Sequence, residues 1–175
     1  MDRVAVSKYL SYLLRHAPGG LDMDRHGFAP VEQVIERLRK RFPAIDQHKL
    51  RQVVDESNKQ RFEFSGDTIR ARYGHSIPVG IAWPVADDVA VLYHGTTEKA
   101  ARSILRQGLQ PRSRQIVHLS ATPEQARQVG QRHGSPVVLR IDAAAVHRQG
   151  VTFYQATGQV YLAEHVPAPC ISRRD

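Results

Sequence analysis

The stretch GHSIPVGIAWPVADD, residues 74–88, does most to limit what this chain can fold into. Its two prolines and two glycines break helical and strand periodicity alike, because proline lacks a backbone donor and glycine has no side chain to pack. The pattern before it is helical and the pattern after it is strand-rich. The segment therefore reads as a connection between two lobes, partly buried through Ile81 and Trp83. A length of 175 residues accommodates one domain of usual size or two small ones.

Three helical patterns precede the connection. The first runs to about Arg15 on the stripe Val6, Leu10, Leu13, Leu14. The second starts at Pro30, a favoured first-turn residue, and repeats Val31, Val34, Ile35 and Leu38 up to Phe42. The third has Asp46 as its N-cap and places Leu50, Val53 and Val54 on one face. Phe62 and Phe64 then alternate with polar residues, Ser65-Gly66-Asp67 makes a turn, and Ile69 begins a return strand. Three helices followed by a β-hairpin is the element order of a winged-helix domain. Beyond the connection, VAVLY reads as a covered strand followed by the turn HGT, and TEKAARSILRQG as a helix closed by Gly108. IVHLS, PVVLRID, VTFYQA and QVYLAEHV read as further strands, with a second helix that Thr122, Pro123 and Gln125 open as a capping box. The expected fold class is α+β, with lobes at 1–80 and 81–175.

Net charge of +8, split evenly between the halves, favours a polyanionic partner. Beyond the connection Lys99 is the only lysine, and arginine's planar fork suits bidentate phosphate recognition. The single cysteine, Cys170, excludes an intramolecular disulfide and the paired-cysteine metal patterns. With no bilayer-length apolar run and no signal-peptide h-region, a cytoplasmic protein without membrane association is expected.

Five polar clusters stand where elements end. Arg15 and His16 close the first helix, where cations complement the helix dipole whether or not they also bind a ligand. Lys59 and Arg61 lead into the hairpin, and Arg70 and Arg72 share one face of its second strand with His75 beyond, either as phosphate contacts or as a solvated basic face. His94, Gly95 and Thr96 could hold a ribose and a carboxamide or phosphate, or could simply form a strand-to-helix turn with Thr96 or Thr97 as N-cap. Arg112 and Arg114 precede a strand on which Ile116, His118 and Ser120 share a face, and a histidine on so mixed a face is as well suited to a structural hydrogen bond. Walker, Gly-x-Gly-x-x-Gly, Gly-x-Ser-x-Gly and His-Glu-x-x-His patterns are absent, as are paired carboxylates. Any chemistry here is run by arginine and histidine, which suits charge stabilisation on phosphate better than proton abstraction.

Taken in order, SKYLSYLLRH, DRHGF, NKQRF, IRARYGHS, LYHGT, RQIVHLS, VGQRHG, VVLRIDA and VTFY resemble the RNA 2′-phosphotransferase family, NAD-dependent enzymes best known from tRNA splicing and RNA repair. The resemblance spans residues 7–167 and implies a winged-helix RNA lobe followed by an ADP-ribosyltransferase-like NAD lobe. It implies removal of an internal 2′-phosphate from RNA through an ADP-ribosylated phosphate, giving 2′-OH RNA, nicotinamide and ADP-ribose 1″,2″-cyclic phosphate. NAD would be consumed, no metal is implied, and a monomer is expected. On this resemblance Arg15, His16, Arg61 and Arg114 form the catalytic set, and Arg15, His16 and Arg61 hold the 2′-phosphate. Arg70 competes with Arg61 for its place. His94, Gly95, Thr96, His118 and Ser120 would line the NAD site, with Asp142 toward the adenosine ribose. The chain departs from the family pattern at Tyr73 (usually Gln), Ile116 (usually His) and Tyr161 (usually Trp). Competing readings are an ADP-ribosyltransferase that stops after the first step, and a winged-helix binder without catalysis.

Overall fold

The computed structural model describes residues 1–86 and 88–174, apart from the side chain of His133. The chain divides into two compact units, Met1–Ala82 and Trp83–Asp175. Both are mixed α+β, and each contains one antiparallel sheet.

The first unit opens with α1, Arg3–Arg15, whose N-cap Asp2 accepts from the amide of Ala5. The stripe read from the sequence is its buried face: Val6, Leu10, Leu13 and Leu14 are fully covered. Helix α2, Val31–Arg39, buries Val31, Val34, Ile35 and Leu38. Pro30 lies just before it as N-cap rather than inside the first turn, because it pairs in strand β1, Ala29–Pro30. Helix α3, Gln47–Asp55, is capped by Asp46, which accepts from the amide of Lys49. Strands β2, Phe62–Ser65, and β3, Thr68–Ala71, form the expected hairpin, and β1 adds to its far side in the order β1-β3-β2. Phe62, Ile69 and Ala71 close the core beneath the helices.

The second unit is built on β4, Val91–Thr96; β5, Val117–Ser120; β6, Val137–Asp142; β7, Phe153–Gln155; β8, Val160–Ala163; and β9, Ile171–Arg173. Their order in the sheet is β7-β8-β5-β4-β6-β9. The strand β9 and the helix α6, Ala143–Arg148, were not anticipated, and they accompany the two expected helices α4, Glu98–Gln107, and α5, Pro123–Gly130. The Thr122–Gln125 capping box forms as read. Gly108 ends α4 at φ +81°, and a side chain there would meet the Val166 carbonyl at 2.4 Å. The end of the proline-rich connection belongs to this unit: Ala86 donates to the Phe153 carbonyl and Gln155 to the Pro84 carbonyl, each at 2.8 Å.

His94, Gly95 and Thr96 do not form the turn that the sequence suggested. They are the last three residues of β4, paired with Leu139, Val138 and Val137 of β6, and of the two expected caps it is Thr97 that caps α4. No helix among the described residues is long and apolar enough to cross a membrane.

Candidate functional site

In the first unit the end of α1 gathers the residues singled out there. Arg15 is 8% exposed, which is unusual for a cation at a helix end. Its guanidinium carbon stands 5.0 Å from the centre of the Tyr73 ring and 5.9 Å from that of Phe62. At those distances the ring faces favour a cation by about 0.5–2 kcal/mol. Gly74, at φ +90°, lies against the same group, and a Cβ there would be 3.4 Å from its Nε, Cζ and Nη1. The helix-dipole reading does not account for this burial. A dipole contact needs no aromatic walls, and a solvated arginine would not be covered.

The chain reaches Arg61 through a tight turn in which Gln60 takes φ +42°, a left-handed conformation that non-glycine residues rarely adopt. Arg61 Nη1 donates to Ser57 Oγ at 3.4 Å, and its carbonyl accepts from the Arg72 amide at 2.9 Å. The Tyr73 hydroxyl donates to the Lys59 carbonyl at 3.2 Å, which ties this turn to the segment walling Arg15. Arg70 has a different setting. Its Nε donates to Glu63, its Nη1 to the His26 carbonyl at 3.1 Å, and its guanidinium lies 4.3 Å over the Phe28 ring. It therefore braces the DRHGF loop, which Asp24 organises by accepting from the amides of His26 and Phe28.

Of the two readings open for the cluster of Arg70, Arg72 and His75, the solvated face does not hold for His75, which is 4% exposed. Burial, helped by the nearby charges of Arg15, His16 and Arg70, holds its pKa down at about 4. Its Nε2 is buried without a hydrogen-bond partner among the described residues. His16 by contrast is exposed, and its Nδ1 lies 2.8 Å from Ser76 Oγ.

In the second unit the sheet opens where the remaining candidates lie. β4 joins β6 over six residue pairs but meets β5 at one, Tyr93 with Ser120. Beyond that pair a side chain replaces the ladder: His94 Nδ1 lies 3.1 Å from the His118 carbonyl. A carbonyl only accepts, so Nδ1 carries the proton and the neutral ring keeps Nε2 as an acceptor. Desolvation lowers the His94 pKa, and the charges of Arg112 and Arg114 lower it further, so both arginines act electrostatically on this histidine. Arg114 itself is exposed, in the loop before β5. Val117 and Leu119 face the core while His118 and Ser120 are half-buried, as alternation required, and His118 Nδ1 donates to the Ile116 carbonyl at 3.0 Å.

Two candidates are explained by packing. A Cβ on Gly95 would stand 1.6 Å from the Ala126 carbonyl oxygen, so this glycine lets α5 lie directly on β4. Asp142 is the N-cap of α6, accepting from the Ala145 amide at 2.9 Å. Sequence reasoning missed Tyr73 and Ser76 as neighbours of Arg15 and His16. The signal was present in the polar run RYGHS, but only the return of the chain to α1 reveals the contact.

Comparison with known proteins bears on the same residues. A protein from Agrobacterium fabrum named "Probable RNA 2'-phosphotransferase" is 45% identical over 167 residues, covering 93% of this chain and 90% of that protein. Proteins of the same name from Pyrococcus horikoshii and Burkholderia lata are 41% and 42% identical, over 97% and 99% of this chain and 98% and 92% of their own. The family model for "RNA 2'-phosphotransferase, Tpt1 / KptA family" matches residues 1–165, a span that takes in the walled arginine of α1 and the opened sheet alike. Near-complete coverage from both directions extends the likeness across both units, and the chain belongs to the RNA 2′-phosphotransferase family.

Proposed function

We propose that this protein is an NAD-dependent RNA 2′-phosphotransferase, its first unit a winged-helix RNA lobe over residues 1–80 and its second an ADP-ribosyltransferase-like NAD lobe over 81–175. The observation that carries the reading is the burial of Arg15 between Tyr73, Phe62 and Gly74 at the exposed end of a helix. A guanidinium so held loses little further freedom when it binds, and its fork matches a phosphate. Arg15 and Arg61 grip the 2′-phosphate through charge-assisted bonds, and His16 contacts it and handles the proton required when the RNA 2′-oxygen leaves. Arg70, braced against Glu63 and the His26 carbonyl, supports the RNA lobe and reaches phosphate only at the cost of those bonds.

The residues of the second unit fit a dinucleotide. The opening of the sheet at Tyr93 and Ser120 leaves strand edges with polar groups, and His94, kept neutral, presents an acceptor nitrogen. His94, Thr96, His118 and Ser120 orient the nicotinamide ribose, Gly95 contributes backbone only, and Arg114 stabilises charge at phosphorus. NAD⁺ supplies the electrophilic ribose carbon and a departing nicotinamide. Transfer to the 2′-phosphate, then attack of the ribose 2″-hydroxyl on phosphorus, returns a 2′-OH RNA and ADP-ribose 1″,2″-cyclic phosphate.

The test is to incubate the protein with a 2′-phosphorylated RNA oligonucleotide and NAD⁺ and resolve the products. Loss of the phosphate together with the cyclic product is expected. A persistent ADP-ribosylated RNA would mean a transferase that stops halfway, and the absence of any NAD-dependent product would overturn the proposal.

A further inference from the structure

The segment after β3 returns to the end of α1 and holds it through Ser76. The Ser76 amide donates to the Arg15 carbonyl at 3.0 Å, and its hydroxyl donates to the same carbonyl at 3.4 Å. Its Oγ also lies 2.8 Å from His16 Nδ1. The Ser76 hydroxyl has one hydrogen for two neighbours; directed at the Arg15 carbonyl, it leaves its oxygen to accept from His16 Nδ1. From this geometry we propose that Ser76 is the positioning residue for His16. It fixes the His16 proton on Nδ1, so that Nε2 is the nitrogen presented to the 2′-phosphate.

The arrangement matters because His16 is exposed. A solvent-facing imidazole samples several rotamers and both tautomers, and core packing does not decide between them. The contact to Ser76 does both jobs. It is itself anchored twice to the backbone of the residue next to His16, so it moves with the end of α1. The same polarity holds when the ring is protonated, since both nitrogens then donate and Ser76 still accepts. Ser76 thus acts on the reaction through His16, and through the same carbonyl it keeps Arg15 and His16 in register.

The catalytic part of this proposal rests on the phosphotransferase reading above, so its test has two arms. Ser76→Ala and Ser76→Thr are made in the full chain, with 15N-labelled histidine NMR to read the His16 tautomer and steady-state kinetics on 2′-phosphorylated RNA with NAD⁺. In Ser76→Ala the ring should shift from the Nδ1–H toward the Nε2–H form. Its kcat should fall on the order of tenfold, the scale of one lost hydrogen bond, with the KM for NAD⁺ unchanged. Ser76→Thr keeps the hydroxyl and should restore most of the rate, and Ser76→Ala should add no further loss to His16→Ala. An unchanged tautomer in Ser76→Ala, or an equal loss with and without His16, would overturn the proposal. A wild-type protein that leaves the 2′-phosphate in place would overturn the catalytic half, while the tautomer measurement decides the Ser76–His16 bond independently.

Discussion

Gly95 offers the sharpest test of how the second unit is assembled. An ideal Cβ there would stand 1.6 Å from the Ala126 oxygen, 2.5 Å from the Ala126 carbonyl carbon and 2.9 Å from the Gly130 amide nitrogen. All three atoms belong to the backbone of α5, so no rotamer change can relieve the contact. To restore an ordinary separation of roughly 3.4 Å, α5 would have to retreat from β4 by about 2 Å. That retreat would open the buried contact at Ala126, which is fully covered. Overpacking that yielding side chains can absorb costs about 1–3 kcal/mol, and a rigid helix puts Gly95→Ala at or above about 3 kcal/mol. In a domain of this size that corresponds to a drop in Tm of more than about 10 °C. Gly130→Ala is the graded comparison. Its nearest contacts are 3.1 Å, to Pro136 Cβ and the Thr96 amide nitrogen, so it should cost about 1 kcal/mol, less what alanine gains over glycine in a helix. Gly158→Ala meets nothing within 4 Å and should stay within about 0.5 kcal/mol of wild type. Differential scanning calorimetry of the three variants gives the ranking. If Gly95→Ala melts within about 2 °C of the wild type, the packing argument is wrong and the glycine is there for another reason.

Asp142→Ala should lose about 1 kcal/mol of stability through the α6 cap, whereas Asp142→Asn keeps an accepting oxygen and should lose little. If Asn instead leaves stability intact and raises the KM for NAD⁺ severalfold, the carboxylate serves the ribose as well. His75 makes the first unit sensitive to acid. Its folded pKa of about 4 lies below the unfolded value of 6.5, so between them the unfolded chain binds the extra proton and stability falls as pH drops from 6.5 toward 4. The loss reaches about 3 kcal/mol, and urea titrations of His75→Gln should show it largely removed; parallel pH profiles for variant and wild type would refute this. Arg114→Ala should still release nicotinamide but accumulate ADP-ribosylated RNA in a product assay. A variant that fails to consume NAD⁺ would place Arg114 in the first step instead.

What the sequence made legible was whatever depends on a few neighbouring residues. The stripe Val6, Leu10, Leu13, Leu14 is the buried face of α1 because a helix with one core to face repeats its apolar residues at one period. The caps at Asp46 and Thr122 form because their partners lie three residues along. The short pieces were illegible for the converse reason. β1 is two residues long and contains a proline, β9 is three residues long, and each is a strand only because a longer neighbour supplies its partners. Helix α6 had a local signal in Asp142 followed by three alanines, but the preceding strand drew attention to its last residue as a ligand rather than a cap. The depressed pKa of His75 and the need for Gly95 depend on residues far away in the chain, on burial and then the charge of Arg15 in one case and on Ala126 in the other. Polar motifs therefore pointed to the right neighbourhoods and misjudged what individual members do there.

Tyr73 joins two contacts, a ring against Arg15 and a hydroxyl bond to the Lys59 carbonyl, that can be tested apart. The resemblance implies glutamine at this place; here a ring faces the Arg15 guanidinium at 5.0 Å, and its hydroxyl reaches the Lys59 carbonyl at 3.2 Å. The ring contributes a cation–π contact of about 0.5–2 kcal/mol, and the hydroxyl contributes a hydrogen bond of about 0.5–1.5 kcal/mol. The two separate by substitution. Tyr73→Phe removes the bond and keeps the ring, so Arg15 should stay walled and the KM for 2′-phosphorylated RNA should change less than about threefold. Tyr73→Ala removes both, freeing the guanidinium to sample solvent, and should raise that KM on the order of tenfold or more while leaving the KM for NAD⁺ alone. Equal effects in the two variants would show that the ring does nothing for Arg15. The burial of the guanidinium would then be a consequence of packing around Phe62 and Gly74, and the proposed phosphate grip would rest on the arginine alone.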